Sequence, residues 1–112
     1  MLKKNNRITK DKEFEKIFKK GKGKYSSILG IKVINNNLED SRFGIIVSTK
    51  ISKKAVERNK IKRQIREIIK KYLPNVNIGK DIVVITLPKI KEANFEQIEK
   101  SFIFCLKKLK LI

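Results

Sequence analysis

The chain has 112 residues, enough for one small domain with a modest core and too few for two. Hydrophobic residues make up 40% and charged residues 36%, with a formal net charge of +18, so the chain can fold but repels itself until a polyanion neutralises it. One cysteine and no histidine exclude an intrachain disulfide, a Cys/His zinc site, imidazole acid–base chemistry and a Ser-His-Asp arrangement.

The first eight residues are basic and polar and read as a flexible or loosely docked arm, leaving 9–112 as a single domain. No apolar h-region follows that basic start, and no run reaches the ~18–20 apolar residues of a membrane span. The expectation is a soluble cytoplasmic protein. From Lys10, the pattern Phe14, Ile17, Phe18 marks one face of a short helix, with Asp11 as N-cap and Gly21 as stop. Lys22-Gly23-Lys24 reads as a turn, residues 26–35 as a strand interrupted at Gly30, and Asn35 to Ser41 as a polar turn. Phe43 to Thr49, rich in β-branched residues, is a second strand.

A long helix follows over residues 54–72. Ile61, Ile65, Ile68 and Tyr72 recur at helical spacing and form one apolar stripe. At about 100° per residue, Arg58, Lys62 and Arg66 make an adjoining ridge, with Arg63 and Lys70 farther round. Pro74 and Gly79 break the chain, Asp81 to Leu87 is a near-continuous apolar strand, and Asn94 to Lys110 is a last helix. Phe95, Ile98, Phe102, Cys105 and Leu109 are its expected inward face, which makes Cys105 a buried small hydrophobe. The fold class is α+β, with helices packed on one sheet.

The distribution of arginine singles out the long helix. Only five of the 29 basic residues are arginine, and three of them (Arg58, Arg63, Arg66) fall within nine positions. A guanidinium binds phosphate bidentately and stacks on bases, which a lysine ammonium cannot do. Lys50 to Lys71 carries ten basic and two acidic residues, and Asn59 adds a neutral donor and acceptor. A solvated charged face is the bland alternative.

Arg58-Asn59-Lys60-Ile61-Lys62-Arg63, followed by Arg66-Glu67, resembles the Arg-Asn-Arg-x-Lys-Arg signature of the bacterial ribonuclease P protein subunit, with Lys60 departing at the third position. Asn6-Arg7-Ile8, the segment Glu13 to Gly21 with its two phenylalanines four apart, and Phe43 to Ser48 resemble that family in the same order; the likeness is weak after residue 72. The resemblance implies an αβββαβα two-layer sandwich with a left-handed crossover at the signature helix, where the general rule would give the opposite hand. It implies contact with the catalytic RNA subunit through Arg58, Asn59, Lys62, Arg63 and Arg66; Lys60, which keeps the charge without the fork, and Lys53 and Lys54 of the same basic segment complete the expected RNA-binding set. It also implies a cleft for the 5′ leader of precursor tRNA at Phe14, Phe18, Ser48 and Lys50, with Lys32 where the family has a third aromatic.

On helix statistics alone, an i,i+4 phenylalanine pair is core; the functional alternative is a stacking platform for single-stranded nucleic acid. The eleven acids are scattered and form no two-metal cluster, and Gly21-Lys22-Gly23-Lys24 lacks the spacing of a phosphate-binding loop. No catalytic residue and no metal ligand is therefore expected in this chain. The resemblance implies an accessory subunit of an endoribonuclease, with Mg²⁺ serving the RNA subunit, ribonuclease P RNA and precursor tRNA as partners, and no membrane or obligatory protein partner. The alternatives are a ribosomal or other structured-RNA-binding protein with no processing role, and a basic protein on anionic lipid.

Overall fold

A computed structural model describes residues 3–112. Seven elements follow one another: α1 (Asp11–Lys20), β1 (Lys22–Tyr25), β2 (Leu29–Asn35), β3 (Arg42–Ile46), α2 (Ala55–Tyr72), β4 (Lys80–Thr86) and α3 (Phe95–Lys108). The four strands form one sheet in the order β1-β2-β4-β3. β1 and β2 are antiparallel, as are β2 and β4, while β3 lies parallel to β4. A parallel neighbour cannot be reached by a hairpin, so α2 is the crossover between β3 and β4.

Alternation along the strands sorts the side chains onto two faces. Leu29 and Ile31 of β2, Phe43 of β3, and Ile82 and Val84 of β4 face the main core. There they meet Ile61, Ile65, Ile68 and Ile69 of α2 and Ile98, Phe102, Cys105 and Leu106 of α3. Ile34, Val83, Ile85 and Ile46 turn to the opposite face, where Phe14 and Ile17 of α1 pack with Ile8. The α+β class and the αβββαβα order hold. The two-layer description fits the sheet with α2 and α3; α1 adds a partial third layer on the other side.

Several local expectations are corrected. Lys22 to Lys24 is strand and not turn: β1 is a short edge strand whose lysines hide its pairing from the alternation pattern and guard the free edge. Lys10, not Asp11, caps α1, and no side chain bonds the helix end there; Asp11 and Glu13 instead sit in the first turn, where the helix dipole favours them. Phe95 is 41% exposed and not inward, because Asn94 immediately before it caps α3. That cap is reciprocal, Asn94 Oδ1 accepting from Gln97 N at 2.8 Å and Gln97 Oε1 from Asn94 N at 2.9 Å. Cys105 is buried as expected, and desolvation pushes its thiol pKa up.

The segment expected as a basic arm lies against β3 from Lys4 onward; residues 1 and 2 fall outside those described. Asn6 Nδ2 donates to Ser41 O at 2.8 Å, Ile8 N donates to Phe43 O at 2.9 Å, and the Ile8 side chain is buried.

One ionic cluster ties three elements together on the α1 face. Arg42 Nε and Nη2 donate to the two carboxylate oxygens of Asp81 at 2.8 and 2.6 Å, and Nη2 also meets Glu13 Oε2 at 2.7 Å. Asn36 Nδ2 donates to Asp81 Oδ1 at 2.8 Å. Asp81, and then Glu13, hold the guanidinium's pKa above its ordinary value. The Asp81 side chain is only 6% exposed, so it needs this bidentate partner. Asp81→Ala would leave Arg42 mostly buried without its main partner. We expect a loss of roughly 3 kcal/mol in denaturant unfolding and a loosened α1, because breaking a buried pair from one side costs far more than a surface pair.

Candidate nucleic-acid interface

The α2 stripe Ile61, Ile65, Ile68 and Ile69 is buried, which fixes the rotation of the helix and turns its basic ridge outward. Lys53, Lys54, Asn59, Lys60, Arg63 and Arg66 are exposed, and Arg58 and Lys62 are half-buried. Arg58 is partly engaged: its Nη1 donates to Ser52 O at 2.9 Å. Ser52 is buried, donates from Oγ to Glu57 Oε1 at 2.8 Å and accepts from Lys54 N at 3.1 Å. The Ser52 hydrogen bond, assisted by Lys91, Lys54 and Lys60, lowers the Glu57 pKa. The start of the arginine helix is thereby braced against the segment that leaves β3. At the far end, Lys71 Nζ and Tyr72 Oη both donate to Glu99 Oε2, at 2.8 and 2.9 Å, joining α2 to α3.

A second feature lies on the opposite face of the sheet. Asp11, Phe14, Glu15 and Phe18 of α1 and Ile46 of β3 line an open hollow of about 420 Å³. The two phenylalanines behave differently. Phe14 is half-buried, packed on the smaller core with its ring over Gly44, where a Cβ would stand 2.5 Å from Phe14 Cε1. Gly44 is thus the place where the sheet admits the ring. Phe18 is 38% exposed. Ser48 and Lys50 are exposed just beyond the end of β3, outside the lining itself, and Ser48 Oγ accepts from Lys50 N at 3.2 Å.

Lys32 projects on the same face. Its Nζ donates to Phe18 O at 2.9 Å and stands 5.7 Å from the centre of the Phe18 ring. Among the described residues, no group of three or more Cys, Asp or Glu side chains could hold a metal ion. Sequence reasoning missed Ile46 as part of the hollow and Arg42 as a structural residue. Strand parity would have found the first, since Ile46 is two positions from Gly44 on one face. No local signal announces the second, whose partner is 39 residues away.

A braced arginine helix on one flank of a small α+β domain, and an aromatic hollow on the other face of its sheet, define a basic nucleic-acid-binding protein. The family model described as Ribonuclease P matches residues 2–110, and the chain belongs to that family. A ribonuclease P protein component from Syntrophomonas wolfei is 40% identical over 111 residues, covering 99% of this chain and 92% of the relative. A solved Staphylococcus aureus ribonuclease P protein mutant superposes with a TM-score of 0.90 at 37% identity, over 97% of this chain and 92% of that one. For the Thermotoga maritima ribonuclease P protein the TM-score is 0.83 at 33% identity, with 91% and 96% covered. The chain is thus an accessory protein subunit of that tRNA-processing endoribonuclease, and its partner is ribonuclease P RNA.

Proposed function

We propose that the exposed side of α2 docks on ribonuclease P RNA while the hollow beside α1 holds the 5′ leader of precursor tRNA. The observation that carries this reading is the exposed Phe18 ring beside Phe14 over Ile46, on the sheet face away from the main core. A phenylalanine needed only for packing would be covered; an open ring offers a π-face to any base. Lys53, Lys54, Asn59, Lys60, Lys62, Arg63 and Arg66, with Arg58 at the brace, would take phosphates of the RNA subunit. Affinity would then fall with salt at a log–log slope of about −0.7 to −0.9 per phosphate neutralised. Ser48 and Lys50 would meet the leader backbone where it passes the end of β3.

In this reading hydrolysis belongs to the RNA subunit and its Mg²⁺, and this chain contributes no catalytic residue. It screens charge, positions the substrate and works in the cytoplasm where tRNA is made. No helix among the described residues is long and apolar enough to cross a membrane. Reconstitution with ribonuclease P RNA, across a range of Mg²⁺ concentrations, tests the reading. We expect the chain to lower the Mg²⁺ needed for 5′ cleavage and to tighten binding of leader-bearing precursor over mature tRNA. Equal affinity for the two would leave a structured-RNA-binding protein without a leader site.

A further inference from the structure

Register places four residues in one row across the α1 face of the sheet. Tyr25 pairs with Gly30, Gly30 with Ile85, and Ile85 with Ile46. α1 covers the neighbouring positions, its Ile17 buried with Val83 and its Phe14 over Gly44. The row itself stays open: Ile46 and Ile85 are half-buried and Tyr25 is 46% exposed. At its far end the tyrosine ring fills the space a side chain at 30 would take. A Cβ on Gly30 would collide with Cδ2 and Cε2 of the Tyr25 ring. Two glycines on this face, Gly30 and Gly44, are thus each roofed by an aromatic ring, with Ile85 and Ile46 as apolar floor beside them.

We infer that Tyr25 is a leader-binding residue, a third stacking ring supplied from the edge strand alongside Phe14 and Phe18. The inference rests on the leader reading of the hollow. Lys32 cannot serve as a stacking surface, having no ring, and its ammonium is held by Phe18 O. Tyr25 stands one same-face position along from it, since Gly23 pairs with Lys32 and Tyr25 with Gly30. From Ile46 to Tyr25 the row spans three strand spacings, roughly 14 Å, or about four nucleotides at the 3.4 Å repeat of a stacked strand. The RNA-docking helix begins just beyond the β3 end of this row, so a leader entering there passes Phe14 and Phe18 first and reaches Tyr25 last. Tyr25 therefore acts on long leaders only.

An aromatic covering a glycine on the neighbouring strand can also be purely structural. Tyr25→Leu separates the roles, because leucine still covers Gly30 but offers no π-face. The measurement is affinity of the holoenzyme, assembled with ribonuclease P RNA, for precursor tRNAs with leaders of about two and about eight nucleotides, and for mature tRNA. The loss of one stacked base, about fivefold or more, is expected for Tyr25→Leu on the long leader only, with Tyr25→Phe restoring it. Equal losses on mature tRNA would make Tyr25 structural and overturn the inference. If Phe18→Ala weakens both leaders and Tyr25→Leu neither, Tyr25 has no leader role while the hollow stands; if neither variant discriminates, the hollow itself is not a leader site.

Discussion

Replacing Arg58, Arg63 and Arg66 together by alanine leaves the domain folded and weakens binding of ribonuclease P RNA by at least about 100-fold at moderate salt. The size follows from losing up to three charge-assisted contacts, each contributing about 1.5–3 kcal/mol. The fold survives because the buried stripe Ile61, Ile65, Ile68 and Ile69 is untouched and alanine is the best helix former. Only Arg58 carries a structural cost, its bond to Ser52 O, worth on the order of 1–2 kcal/mol of stability. The log–log salt slope should flatten by about 0.7–0.9 for each phosphate contact removed. Filter binding or calorimetry across a salt series measures both quantities, with thermal unfolding as the control for folding. An unchanged slope would mean that α2 is not the docking element.

The elements differ in how far the sequence announces them. α2 is legible because eighteen residues carry a strict helical stripe beside a ridge of the chain's scarce arginines. β4 is legible because a strand buried on both faces reads as an unbroken apolar run, and both faces are indeed covered, one by α2 and α3 and the other by α1. β1 is hidden because its Lys-Gly-Lys-Tyr carries no alternation; pairing with β2 alone makes it a strand. The side of the sheet on which α1 packs is equally silent, since an apolar stripe on a ten-residue helix specifies burial but not against which face. Placement of the hollow depends on that choice. The motif could point to Phe14 and Phe18, but only register brings Ile46, Ile85 and Tyr25 alongside them.

Phe18→Ala is expected to weaken precursor tRNA selectively, and Phe14→Ala to do so at a cost in stability. Phe18 is 38% exposed, so its removal deletes a stacking surface worth about 1–3 kcal/mol of leader binding and little core. Phe14 is half-buried on the smaller core, with its ring seated over Gly44 and beside Ile8 and Ile46. Truncating it opens a cavity on a face that has few other large side chains, and roughly 2–3 kcal/mol of unfolding free energy should go with it, below the ~3–5 of a fully buried phenylalanine. The two variants therefore share one binding phenotype and differ in stability. Affinity for ribonuclease P RNA is spared in both, since α2 lies across the sheet from either ring. Paired measurements of unfolding and of binding to precursor and mature tRNA decide the matter. A Phe18→Ala protein that binds both tRNAs as the parent does would remove the hollow from leader recognition, because no packing defect could then be masking the loss.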